Sequence, residues 1–209
     1  GFFARHNLDV ELINFAGSTD QLLEAITTAK ADAGIGMALR WLKPLEQGFD
    51  VKITAGTHGG CLRALVPANA GIKKLADLKG KTIAVADLAA PGKNFFSIVL
   101  QKNGIDPNKD VEWRVFPGNL LRLSVEKGEA QALIDSDPQT YIWLKDGTFV
   151  ELASNLDGEY RDRTCCVLGL RGSLIRNDPA LARAITKGLL DAAVWAVENP
   201  AETAKGFSP

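Results

Sequence analysis

The chain has 209 residues, of which 24 are basic and 25 acidic, giving a formal net charge of -1; 46% are hydrophobic and 23% charged. This is an ordinary globular balance, long enough for one large domain or two small lobes, and it lacks the basic surplus that a nucleic-acid partner would require. No apolar run approaches the roughly 20 residues that span a bilayer, Arg5, His6 and Asp9 interrupt any signal peptide at the N-terminus, and three cysteines are too few for a disulfide scaffold or a Cys-rich metal fold.

Residues 1–7 read as the end of a helix, and Val10, Leu12 and Ile13 as a short strand. Ser18 to Gln21 fits a capping box before a helix carrying Leu22, Leu23, Ile26 and Ala29 at helical spacing. Residues 31–36 are a short run of small residues with Ile35 the bulkiest, followed by a helix that Pro44 shortens or kinks and Gly48 stops. Strands are expected over 51–55 and 61–66, separated by the loop Gly56-Thr57-His58-Gly59-Gly60. Ile83, Ala84 and Val85 are a short apolar run suited to a strand covered on both faces, and Pro91 suits the first position of the next helix. Val111, Trp113 and Val115 alternate with polar residues as a half-buried strand does. A helix over 120–127, a buried strand at 132–134, a helix after Pro138 and strands over 149–153 and 164–170 follow. The strongest helix opens at Asp178-Pro179, with Leu181, Ile185, Leu189, Ala192 and Ala196 on one face. Alternating strands and helices argue for an α/β protein rich in parallel strands.

The phrase LADLKGKTIAV (75–85) resembles the opening of the second lobe in periplasmic solute-binding proteins of ABC importers, in the branch that binds nitrate, sulfonates, taurine, bicarbonate or thiamine precursors. GSTDQLLEAI, ADAGIGMA, AGTHGGC, DVEWRVFP, EKGEAQALIDSDP and VENPAETAK fall in the order that family shows. The resemblance implies a two-lobed clamshell of the type 2 periplasmic-binding-protein class. Residues 1–65 and 167–209 would form the first lobe and 66–166 the second. It also implies a chain that is a fragment at both ends. The implied protein works in the periplasm or outside the cell, with a lipid anchor as one option. It binds a small, anionic or zwitterionic solute between the lobes, closes by hinge bending, and is recognised by a membrane permease. A monomer is expected, with no cofactor, no metal and no catalysis. Two alternatives stay open: an enzyme of related fold acting on a pyrimidine or thiamine-precursor substrate, and a ligand-sensing domain.

Candidate ligand-binding residues lie on loops that follow strands, several of them at helix N-termini, where unpaired N–H groups and partial positive charge favour anions. These are Ser18, Thr19, Gly36, Met37, Thr57, His58 and Gly59 on one lobe and Ala90, Pro91, Asn119 and Asp135 on the other. Ordinary capping explains Ser18 and Pro91 equally well. Asp137 is expected to cap the helix after Pro138, leaving Asp135 to accept hydrogen bonds from a cationic or hydroxylated part of the ligand. Two carboxylates here would repel a bare anion. Cys61, Cys165 and Cys166 read first as buried thiols; a bridge from Cys61 to one of the adjacent pair is the alternative. Phe95, Phe96, Trp41 and Trp113 read as core before pocket, and Arg40, Arg122 and Arg171 as solvated before ligand-pairing. His6 and His58 are the available imidazoles, and no Gly-x-Ser-x-Gly, Walker or His-Glu-x-x-His signature is present.

Overall fold

A computed structural model describes residues 1–15 and 19–206. The chain divides into two units, one of Gly1–His58 with Thr164–Pro209 and the other of Gly59–Arg163.

The first unit carries α1 (Thr19–Thr27), β1 (Ala33–Met37), α2 (Ala38–Glu46), β2 (Val51–His58), and later β8 (Cys166–Arg171), α6 (Gly172–Asn177), α7 (Pro179–Glu198) and α8 (Pro200–Lys205). Its three strands lie in the order β1-β8-β2, with β8 antiparallel to both neighbours. The expected parallel pairing is therefore absent from this sheet: β1 and β2 run the same way but are not paired, because β8 lies between them. Leu22, Leu23 and Ile26 of α1 pack with Trp41 of α2, Val51 and Val167. On α7, Leu181, Ile185 and Leu189 pack with Leu168, Leu170 and Leu174, and the Asp178 carboxylate accepts from the Leu181 N–H at 2.9 Å as an N-cap.

Two glycines make room for Trp41, which is fully buried. A methyl group on Gly169 would stand 2.0 Å from the Trp41 ring, and one on Gly36 would stand 2.6 Å from its indole nitrogen. Gly36 on β1 and Gly169 on β8 thus leave the space that one aromatic ring fills. Residues 8–15 form no strand. Val10, Leu12 and Ile13 are exposed, and among the described residues no strand pairs with them to supply the hydrogen bonds their β-propensity would need.

The second unit carries β3 (Leu62–Pro67), β4 (Thr82–Val85), α3 (Pro91–Lys102), β5 (Glu112–Val115), α4 (Leu121–Glu126), β6 (Ala132–Ser136), α5 (Gln139–Lys145) and β7 (Phe149–Ser154). The strand order is β5-β4-β6-β3-β7. β4 is parallel to β5 and β6, whereas β3 is antiparallel to β6 and β7. Sequence reading places β3 before the first change of lobe, after residue 65. The structure instead hydrogen-bonds β3 into the middle of this sheet, so the unit begins at Gly59. The short apolar run at 83–85 is fully buried, as a strand with neighbours on both sides and helices on both faces must be. Gly92 brings α3 close to the sheet, since a methyl there would stand 2.7 Å from Ile134. On the other face, Leu65, Ala84, Leu121, Val125, Leu133, Trp143 and Phe149 form the core.

Acid should loosen this unit along a defined path. Hydrogen bonds from the Thr148 N–H, then from Arg122, hold the Asp146 carboxyl at about 2 against an ordinary 3.8. A carboxyl depressed in the folded state contributes stability above its unfolded pKa and loses it as pH falls through the folded one. The contribution of Asp146 is therefore intact above about pH 4 and lost progressively down to about pH 2. Urea midpoints measured from pH 5 to pH 2 should fall, and Asp146→Asn should flatten that fall. An unchanged slope in the variant would contradict this assignment.

Candidate functional site

The directions of the strands gather the candidate loops of each unit onto one edge of its sheet. In the second unit β4, β5, β6 and β7 all end at the edge where β3 begins. That edge carries the loop into α3 with Ala90 and Pro91, the turn Gly118–Leu120 with Asn119, and the end of β6 with Asp135 and Asp137. It is the carboxyl edge at which α/β sheets bind ligands. Ala90 caps α3 without a side-chain hydrogen bond, and Pro91 occupies the first position. By helix geometry the N–H groups of Gly92 and Lys93 then point out along the axis, with the positive end of the dipole. Asn119 is exposed.

Two residues that sequence reading did not select build this edge. Arg63 on β3 donates to both oxygens of Asp137 at 2.9 Å and also to Glu151. Burial would raise the Asp137 carboxyl, but the hydrogen bonds from Arg63 and Thr140 outweigh it and hold the group below its usual range. Asp137 also accepts from the Tyr141 N–H at 3.1 Å, from one residue ahead of Pro138, which holds the cap position without a side-chain hydrogen bond. Asn155, buried, accepts from the Leu62 N–H at 2.7 Å, while its own N–H donates to the Leu62 carbonyl at 3.1 Å. This clasp explains Gly60, where a methyl would stand 2.2 Å from the Asn155 carbonyl oxygen. Arg63 had a sequence signal, a charge inside the apolar run Cys61 to Val66; Asn155 had none.

Asp135 differs from Asp137. It is half-buried, and burial pushes its carboxyl above the usual range, with the Ser136 N–H at 2.9 Å pulling it back only in part. Among the described residues its side chain is assigned no cationic partner.

In the first unit β1 and β2 end at the edge where β8 begins, so Gly36, Met37, Thr57 and His58 share that edge with Thr164 and Cys165. Met37 caps α2, whose first N–H, from Ala38, is already taken by the Cys165 carbonyl at 2.8 Å. Among the described residues the Thr57 hydroxyl oxygen is buried without a hydrogen-bond partner. His58 is exposed, and its backbone carbonyl accepts from the Cys165 N–H at 2.9 Å and the Thr164 hydroxyl at 3.3 Å. Gly59 belongs to the second unit, not the first. Ser18 lies outside the described residues, and Thr19 opens α1.

Other candidates resolve into structural roles. Cys61, Cys165 and Cys166 are buried thiols. Arg40 is paired with Asp20, Arg122 with Glu126 and Asp146, and Arg171 with Asp32. Phe95 and Phe96 are core, edge to face at 5.0 Å. Among the described residues no cluster of His, Cys, Asp and Glu could hold a metal ion, and no helix is long and apolar enough to cross a membrane.

Two α/β units whose candidate loops collect at strand carboxyl edges define the periplasmic-binding-protein fold, and solved structures agree. SsuA, the periplasmic sulfonate-binding protein of Methylobacillus flagellatus KT, superposes with a TM-score of 0.83 at 20% identity, over 100% of this chain and 64% of that one. The periplasmic aliphatic sulphonate binding protein SsuA from Escherichia coli gives 0.73 at 19% identity, over 87% of this chain and 58% of that one. The Candida albicans CA3427 gene product, which exhibits the generic periplasmic binding protein structural fold, gives 0.77 at 13% identity, over 100% and 68%. The chain thus spans less than two thirds of the length of either SsuA. Comparison with curated protein sequences gives no match. The profile of the NMT1/THI5 like family matches residues 1–203, and the chain belongs to that family.

Proposed function

We propose that this chain is the solute-binding component of an ABC importer, working outside the cytoplasmic membrane and delivering a small anionic or zwitterionic solute to a membrane permease. The observation that carries this reading is the gathering of Ala90, Pro91, Asn119 and Asp135 on one carboxyl edge of the second sheet, with a helix N-terminus that has no side-chain cap among them. Such an edge offers N–H donors to an anion and a carboxylate to a second group of the solute. The sulfonate-binding role of both SsuA proteins supports the same class of solute.

A thermal-shift panel tests it. The full protein is screened against nitrate, bicarbonate, taurine, alkyl and aromatic sulfonates, aromatic carboxylates and pyrimidine thiamine precursors. A solute at about a hundredfold its Kd should stabilise by roughly 2.7 kcal/mol, and should be recovered unchanged. The second reading is an enzyme on a pyrimidine-type substrate, favoured by the raised carboxyl of Asp135, which suits acid–base work. Consumption of the stabilising compound would select that reading. Absence of any shift across the panel would count against both.

A further inference from the structure

Two carboxylates close β6, and they are treated differently. Arg63 stands directly across from Asp135 in the β3–β6 register, so the two side chains share a face of the sheet. The guanidinium nevertheless turns away. Its Nε and one terminal nitrogen donate to Asp137, and the other terminal nitrogen donates to Glu151. Asp137 is further held by the Thr140 hydroxyl at 2.6 Å. Asp135 accepts from one backbone N–H, its own neighbour's.

The alternation along β6 places Asp135 on the same face as Leu133, at the rim of the apolar core that includes Leu121 and Val125. The carboxylate is thus half-buried on the face that carries this core. A charge in such a place is costly unless a partner arrives. The chain had a cation within one strand spacing and directed it elsewhere.

We infer that the solute taken at this edge carries a cationic group, an ammonium or amidinium, that lies against the Asp135 carboxylate. The inference rests on the solute-binding reading above and narrows it from anions in general to zwitterions and amines. The arriving cation supplies the counter-charge that Arg63 withholds, in a partly desolvated setting where charge-assisted hydrogen bonds are strongest. A bare anion would meet an unpaired carboxylate there and be disfavoured.

Calorimetric titration of the full protein with matched probes tests this: taurine against propanesulfonate, β-alanine against butyrate, and an aminomethyl- against a hydroxymethylpyrimidine. In the binding pair, the amine-bearing member should bind at least about tenfold tighter, the scale of one hydrogen bond to a charged group. Asp135→Asn, and independently Asp135→Ser, should erase that preference by weakening the amine while sparing its neutral counterpart. The unliganded Asp135→Asn protein should melt no lower than the parent, because a half-buried charge has been removed, so loss of folding cannot imitate the result. Equal affinity within a pair, tighter binding of the amine-free member, or equal weakening of both members by Asp135→Asn would overturn the cation assignment while leaving the solute-binding reading in place. Failure of every probe to bind would overturn the solute-binding reading, and the inference with it.

Discussion

Replacing Arg63 with Met should cost the protein roughly 3 kcal/mol of stability, among the largest effects available to a single charged residue. The estimate follows from the geometry. Removing one member of a buried ion pair leaves an uncompensated charge, typically worth about 3–5 kcal/mol. Here two carboxylates would be stranded, Asp137 and Glu151, but each keeps about a quarter of its side chain exposed, which favours the lower end of that range. Asp137 also accepts from the Thr140 hydroxyl and the Tyr141 N–H in the first turn of α5, so the loss should spread into that helix. The pH dependence gives an internal check. Asp137 is held below its usual range when Arg63 is present, so its stabilisation is complete above the unfolded pKa and fades as pH falls through the folded one. The difference between parent and Arg63→Met should therefore shrink on acidification. Urea denaturation at pH 7 and below pH 4 measures both. A loss under about 1 kcal/mol at pH 7, the value of a surface pair, would show that the Arg63 cluster is not structural.

The second large effect lies in the first unit. Trp41→Ala removes a fully buried ring and should cost roughly 3–5 kcal/mol through lost transfer energy and the cavity left behind. Gly169→Ala approaches the same contact from the other side. Its methyl would stand 2.0 Å from the ring, and overpacking of this kind costs about 1–3 kcal/mol. The informative measurement is the double variant. If the two residues share one packing site, the methyl enters space that the ring vacated, and the combined loss falls below the sum of the separate losses. Strict additivity would mean that Gly169 is required for something other than room for Trp41.

These residues also mark how far the sequence could be read. Helices α1, α3 and α7 were legible because their apolar spacing and start signals are local: Leu22, Leu23 and Ile26 are buried, Pro91 opens α3, and Asp178 caps α7. The gathering of Ala90, Pro91, Asn119 and Asp135 on one edge followed from alternating strands and helices together with the family resemblance. What failed was non-local. Val10, Leu12 and Ile13 have strand composition, but a strand exists only where another strand accepts it. The membership of β3 depended on its pairing with β6 and β7, which leaves no mark in its own residues. The antiparallel insertion of β8 between β1 and β2 is equally invisible to periodicity. Within the site, Asp135 and Asp137 look alike in sequence. Only the side-chain placement of Arg63 separates a paired, structural carboxylate from one that faces the edge alone.

The most direct measurement is a crystal structure of the full protein with the strongest ligand from the thermal-shift panel. The expected result is a solute on the carboxyl edge of the second sheet, with a cationic group within hydrogen-bond distance of Asp135 and an anionic group at the N–H groups that open α3. A solute seated elsewhere, with that edge covered by other parts of the chain or left in bulk water, would contradict the assignment of the site.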